Sequence, residues 1–511
     1  MQDDATRGRL GRRRFLGLLG AAAGTAAVTG SLAGTATAAS GATGSSAVGA
    51  VAGHPARRLG NRDRLQKSFV DRRFGMFIHF NMGTYHDMEW TDPGQDPLSF
   101  NPANLDCTQW ADAAASAGMT FAVLTAKHHD GFCLWPTAYS SYGVMASSYR
   151  RDVVRQYLDA FRARGITPAL YFSIWDRTVP GVAPGEVTAA GLQFVKNQLT
   201  ELLTHYGRIP LLITDGWSWS MGHQEVPYGE IRQHIHSLQP DCLFVDLNGV
   251  PVAWDADLTF WEEPKPDQFV PAGNTVAASQ GQTITPFQWF WHPSTPTAPN
   301  LLTTADIVDG HLRPLEQRNT TFLLNCPPNP QGLLDANIVS RLADVGRVWR
   351  PDRTRPPLPA QPDVLLHPIT PVGANATSGD AAMAVEGHND WGWNGNADQR
   401  LWQTTAPLPQ SITLDLGDRE VVDTLAYLPR QDKGADGQVV TDGNVTAYRV
   451  SVSTGGRTFT PVAQGRWAAD RTVKQARFQP TRARFVRFEA LAAVGGFAAA
   501  NEFGVGRVGG R

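Results

Sequence analysis

Between residues 74 and 327 the chain repeats one pattern: a short apolar run, then a stretch in which apolar residues return at helical spacing. The runs are Phe74 to Phe80, Phe121 to Lys127, Thr167 to Ser173, Pro210 to Gly216, Cys242 to Asn248, Asp257 to Glu263, Gln288 to His292 and Thr321 to Pro327. Helix-like stretches such as Trp110 to Ala117, Val153 to Arg164 and Leu192 to Tyr206 separate them. That alternation builds a parallel sheet. Eight such units over about 300 residues, with no glycine-rich phosphate loop, predict an α/β fold of the (β/α)8-barrel type rather than an open doubly wound sheet.

The texture changes after a stretch dense in proline, from Pro351 to Pro371, which reads as an extended linker. Beyond it, runs such as Ser411 to Leu416, Val422 to Leu428, Ala447 to Ser453, Phe459 to Ala463 and Phe485 to Ala490 alternate with Gly, Asp and Asn, the pattern of an antiparallel β-sandwich. At the other end, Arg12-Arg13-Arg14-Phe15-Leu16 precedes an apolar small-residue run and Ala36-Thr37-Ala38. This resembles a twin-arginine export signal over residues 1–38, so the mature protein is expected to be secreted or extracytoplasmic. The expected order is therefore signal 1–38, flexible tether 39–60, barrel 61–350, linker 351–371 and sandwich 372–508.

Composition narrows the partners. Lys plus Arg (45) nearly balance Asp plus Glu (47), so no basic field would attract nucleic acid or an anionic membrane. Most of the 15 tryptophans fall between Trp90 and Trp291, where indole rings serve as core or as walls for sugars. Cys107, Cys133, Cys242 and Cys326 have no CxxC spacing and are expected to be buried thiols.

In a barrel of this kind, chemistry belongs at the carboxyl ends of the strands. Those ends carry His79, His128-His129, Asp215 and Glu262-Glu263. A carboxylate after the fourth strand and another after the sixth meet the requirement for glycoside hydrolysis, in which one attacks or activates water and the other protonates the leaving oxygen. Taken singly, each has a plain alternative: Asp215-Gly216 as a turn, the glutamates as barrel rim, the histidine pair as metal ligands. The histidines lack a partner at ligand spacing, so no metal and no catalytic cofactor is expected.

Phe74-Gly75-Met76-Phe77-Ile78-His79-Phe80, Glu89-Trp90, Lys127-His128-His129-Asp130-Gly131-Phe132, Leu170-Tyr171-Phe172-Ser173, Thr214-Asp215-Gly216 and Leu323-Leu324-Asn325-Cys326-Pro327 together resemble the α-L-fucosidases of glycoside hydrolase family 29, over roughly residues 66–350. The resemblance implies a retaining exo-glycosidase for terminal α-L-fucose acting through a covalent intermediate on fucosylated oligosaccharides or glycoconjugates. It implies Asp215 as nucleophile and His79, Glu89, Trp90, His128, His129 and Tyr171 as sugar-binding residues, and Trp217 is counted with them. Glu262 is the expected acid/base, with Glu263 beside it as the alternative, its pKa raised by Phe260, Trp261 and the nucleophile. Two positions depart from the family pattern: Ile213 stands where many relatives have Trp, and no Arg lies between Arg232 and Arg313. A catalytically inactive glycan-binding protein and an exo-glycosidase for another sugar stay open on the residues alone.

Ile412-Thr413-Leu414-Asp415-Leu416-Gly417, Tyr427-Leu428-Pro429-Arg430-Gln431-Asp432 and Arg484-Phe485-Val486-Arg487-Phe488 resemble a discoidin-type (factor 5/8 type C) jelly roll. Such modules bind carbohydrate or only buttress a neighbour, and some hold a structural calcium ion.

Overall fold

The computed structural model describes residues 61–183, 186–216, 228–247, 253–254, 256–263, 269–297, 301–362, 365, 367–385, 401–431 and 440–508. Eight parallel strands form the first sheet: β1 Phe74–Ile78, β2 Phe121–Lys127, β3 Thr167–Ser173, β4 Leu211–Asp215, β5 Leu243–Asp246, β6 Thr259–Glu262, β7 Ala278–Thr283 and β8 Thr320–Asn325. Hydrogen bonding runs in the order β5-β4-β3-β2-β1-β8-β7-β6. The ring closes between β5 and β6 through one isolated parallel bridge, Val245 with Leu258, and the bond from the Asp257 N–H to the Phe244 carbonyl at 2.7 Å.

Alternation along the strands separates two apolar layers. Phe77, Val123, Tyr171, Ile213, Phe260 and Leu323 fill the barrel interior. Met76, Leu124, Leu170, Leu212, Trp261 and Leu324 face the helices. The helices of this domain include α1 Asn61–Val70, α2 Cys107–Ser116, α3 Val153–Ala163, α4 Ala189–His205, α5 Tyr228–Leu238 and α6 Ala336–Val348. Three of them start on side-chain caps: the Asp106 carboxylate accepts from the Thr108 and Gln109 N–H groups, Asp152 from Arg155, and the Thr188 hydroxyl from Gly191. Leu65, Phe69 and Val70 of α1 pack into the interior cluster and close the amino-terminal end of the barrel.

The seventh strand is not where the apolar pattern puts it. Gln288 to His292 is a loop, and β7 is the polar segment Ala278–Thr283. Its interior positions are small because aromatic rings take the space: a Cβ on Gly281 would lie 2.7 Å from the Phe260 ring and 3.4 Å from Trp289. Its polar side chains are buried but bonded, Ser279 Oγ accepting from Thr321 Oγ1 at 3.0 Å and Gln280 Nε2 donating to Glu263. Paired polar groups carry no hydrophobic period, so this strand was illegible.

The proline-rich segment also departs from expectation. It lies along the barrel: the Gln361 side chain bonds the Thr275 and Pro359 carbonyls and the Ala277 N–H, and Leu358 packs against the interior cluster. Its last part, His367–Ile369, is already a strand of the second domain, paired with Val505 to Arg507. That domain is antiparallel, its main sheet built on two long bent strands, Gln410–Leu428 and Lys474–Ala493, with Val445–Ser453, Thr460–Arg466 and Glu502–Arg507 beside them. Trp402, Tyr427, Phe488 and Phe503 form the centre of its core. All four cysteines are buried free thiols. No helix among the described residues is long and apolar enough to cross a membrane.

Candidate active site

Interior parity brings the strand-end side chains to one place. Asp215 follows Ile213 on β4, and Glu262 follows Phe260 on β6, both in the inward-facing series. Glu263 follows Trp261 in the helix-facing series. Alternation thus separates the two glutamates that spacing alone could not. Glu263 Oε2 accepts from Gln280 Nε2 at 2.6 Å and meets His311 Nε2 at 3.0 Å, and the His311 ring stacks on the outward-facing Phe322. Although burial opposes it, the bond to Glu263 raises the His311 pKa. Of the two aromatic neighbours expected around Glu262, Phe260 shares its face and Trp261 does not.

Both oxygens of Asp215 accept hydrogen bonds. The Tyr171 hydroxyl donates to Oδ2 at 2.6 Å, and the Gly216 N–H donates to Oδ1 at 2.6 Å. His129 Nε2 stands 3.6 Å from Oδ2. Gly216 has φ 85°, and a Cβ there would lie 2.4 Å from that of Trp175, so the Asp-Gly pair is a turn as well as a site. Burial, followed by the Asp215 charge, pushes the Tyr171 pKa well up, and the Glu262 charge adds to the rise. Backbones two strands apart stand about 10 Å from each other. Inward-pointing carboxylates on them converge on one hollow.

The imidazoles owe their direction to a β-bulge. On β2, Thr125 pairs with Tyr171 but Lys127 pairs with Phe172, so Ala126 is the extra residue. Without that shift Lys127 would point inward. With it, Lys127 turns to the helix layer, where its ammonium bonds Asp176 at 3.0 Å and Gln198 at 2.9 Å, fully buried. His128 then follows on the inner side, its ring stacked on Tyr171 with centroids 5.9 Å apart. Bulges re-aim side chains in this way. Burial, with His129 and His79 nearby, holds the His128 pKa well below its usual value.

His79 is also buried, its pKa lowered by that burial to about 4. Trp289 and Phe290 lie against it, at 4.9 and 5.4 Å between centroids. Glu89 supports this wall rather than standing apart: its carboxylate accepts from the Trp289 N–H at 2.9 Å and meets His292 Nε2 at 2.7 Å. Burial raises its pKa, and these bonds oppose the rise. Trp90 is 42% exposed and packs edge-on against His129 and Trp175. Trp217 lies outside the described residues.

The structure thus gathers His79, His128, His129, Tyr171, Asp215 and Glu262, with Trp90 and Glu89 at the rim. Sequence reasoning missed Ser173, Trp175, Trp289, Phe290 and Asn325. Ser173 ends one predicted strand and Asn325 lies near the end of another, so both could have been read as inward-facing by parity. Trp289 and Phe290 were hidden by the misplaced seventh strand. Among the described residues no group of three or more His, Cys, Asp or Glu side chains is placed to hold a metal ion.

An eight-stranded parallel barrel whose inward carboxylates and imidazoles meet at the carboxyl ends of its strands defines the architectural class. Within it, the chain belongs to the α-L-fucosidase family: the family described as Alpha-L-fucosidase matches residues 82–350, and the F5/8 type C domain matches residues 370–503. Alpha-L-fucosidase 1 of Arabidopsis thaliana is 33% identical over 324 residues, which are 59% of this chain and 62% of that protein. Tissue alpha-L-fucosidase of Rattus norvegicus is 41% identical over 141 residues, 22% of this chain and 30% of that one. Against its curated relatives the chain spans little more than half of their length, 62% for the first and 53% for a relative from Oryza sativa. Alpha-L-fucosidase isoenzyme 1 from Paenibacillus thiaminolyticus shares the fold, with a TM-score of 0.51 and 22% identity over 84% of this chain and all of that one.

Proposed function

We propose that the chain is a retaining exo-glycosidase that removes terminal α-L-fucose from fucosylated oligosaccharides or glycoconjugates. The observation that carries the reading is Asp215, fixed by Tyr171 and the Gly216 N–H at 2.6 Å each, with Glu262 in the same inward series two strands away. In the first step an Asp215 oxygen attacks the anomeric carbon, while Glu262 gives its proton to the leaving oxygen. A fucosyl ester of Asp215 forms as the glycosidic bond breaks. In the second step Glu262 takes a proton from water, whose oxygen displaces the carboxylate from the sugar. His79, His128 and His129 engage the ring hydroxyls, and the indoles of Trp90, Trp175 and Trp289 supply walls for the apolar edge of the sugar.

Residues 1–38 are proposed to direct export before the mature chain acts outside the cytoplasm; the amino-terminal sequence of secreted protein tests this, with a start after Ala38 expected. No step involves a metal.

A panel of aryl glycosides tests the activity. Cleavage of the α-L-fucoside alone is expected. Cleavage of a different sugar would reassign the substrate, and cleavage of none would leave a binding protein. Asp215→Gly should abolish turnover and recover part of it with azide, yielding a fucosyl azide of inverted configuration. Full activity in that variant removes Asp215 from the mechanism.

A further inference from the structure

Hydrogen-bond partners place a hydrogen on Nδ1 of two imidazoles. Asn325 Nδ2 donates to the Trp289 carbonyl at 2.7 Å and to the Gln288 carbonyl at 3.4 Å. Its Oδ1 is therefore the atom 2.8 Å from His79 Nδ1, and a carbonyl oxygen only accepts. His79 Nδ1 must carry hydrogen. The same logic applies across the hollow, where the Ser173 hydroxyl donates to the Trp175 carbonyl at 2.7 Å and stands 2.7 Å from His129 Nδ1. With its one hydrogen committed, Ser173 Oγ accepts, and His129 Nδ1 is the donor. In the neutral ring His129 Nε2 is then an acceptor, and it faces another acceptor, Asp215 Oδ2, at 3.6 Å. A hydroxyl entering the hollow carries one hydrogen and donates to one of the two. Burial keeps His79 neutral across the physiological range.

We propose that Asn325 and Ser173 are positioning residues that fix His79 and His129 as Nδ1–H tautomers, so that both rings offer Nε2 as an acceptor and the hollow selects sugars by the hydroxyls that donate to it. The sugar in this statement rests on the proposed function; the tautomers do not. The same loop carbonyls, Gln288 and Trp289, thereby link the aromatic wall to the protonation of His79.

The test is long-range proton–nitrogen correlation NMR of the full mature chain labelled with ¹⁵N-histidine, at pH 7 and without ligand. Wild type is expected to show hydrogen on Nδ1 and a bare Nε2 for both residues. Ser173→Ala should move His129 toward the Nε2–H form and leave His79 unchanged, and Asn325→Leu should do the reverse. Asn325→Asp keeps an acceptor and should preserve the His79 tautomer, so the assignment stays testable should the leucine variant not fold. With an aryl α-L-fucoside, Ser173→Ala should raise KM about tenfold, the worth of one hydrogen bond, with a smaller change in kcat. An Nε2–H or doubly protonated ring in wild type overturns the proposal, as do tautomers unmoved by Ser173→Ala. Should no glycoside be hydrolysed, the functional reading fails while the tautomer result still stands or falls by the spectrum.

Discussion

Asp130 shows how much a single residue hides within a recognisable motif. It follows the two histidines, yet it is buried, and burial pushes its pKa to about 7. A raised carboxyl pKa means that the folded state holds a proton the unfolded state has lost. Stability should therefore fall as pH rises from about 4 to about 7, by up to about 1.4 kcal/mol per unit. Asp130→Asn should flatten that slope, read from melting temperatures between pH 5 and 8; an unchanged slope would show that Asp130 is ionised in the folded protein. The buried pair Lys127 and Asp176 behaves differently, because removal of one partner strands the other. Lys127→Met should cost about 3–5 kcal/mol by chemical denaturation and disturb the histidines that follow. A loss under 1 kcal/mol would contradict the role given to the bulge. The histidines and Asp215 were legible because strand ends in a barrel converge. The outward turn of Lys127 was not, because a bulge at Ala126 leaves no mark in the alternation.

At the scale of elements, two junctions decide the site. The end of β6 is held from outside by Glu263, Gln280 and His311, His311 lying on a π-helical turn, Asp306–Leu312. Glu263→Gln should lower the melting temperature yet keep most turnover, whereas Glu262→Ala should cripple natural glycans far more than activated aryl fucosides, which need little protonation. The reverse pattern would exchange the roles of the two glutamates. The other junction is the weak seam between β5 and β6. There buried Asp257 binds Arg62 and Arg232 at 2.6 Å each, His236 at 2.9 Å and the Phe244 N–H at 2.8 Å. Burial works against its charge, but these partners hold its pKa well below the usual range. A depressed carboxyl pKa contributes stability above the unfolded value, about 3.9, that is lost as pH falls below it. Asp257→Asn should cost about 3–5 kcal/mol near neutral pH, and less in acid. The helices α2 to α4 were legible from their apolar period. Strand β7 was not, since polar residues that satisfy one another in a wall leave no apolar run to find.

Over the whole molecule, the second domain meets the barrel away from the strand ends that carry the site. Leu428 is fully buried against Trp254 and Val276, residues that precede β6 and β7, and Gly504 lies under the Trp254 ring. That contact ties the second domain to the loops ahead of β6 and β7. Leu428→Ala should cost about 2–5 kcal/mol of stability with little change in KM for a small aryl fucoside. The two-domain order was legible from composition, because proline density and a change from helical to alternating period mark the join. That the linker is bound to the barrel was not, because proline content predicts extension but says nothing of what Leu358 and Gln361 touch. The proposed mechanism turns on one atom pair, an oxygen of Asp215 and the anomeric carbon of fucose. Incubation with a 2-deoxy-2-fluoro-fucosyl fluoride, followed by peptide mapping, reads it most directly. A stable fucosyl ester is expected on Asp215 and on no other residue; a label on another carboxylate, or full hydrolysis of aryl fucosides by an Asp215→Gly variant, would contradict that role.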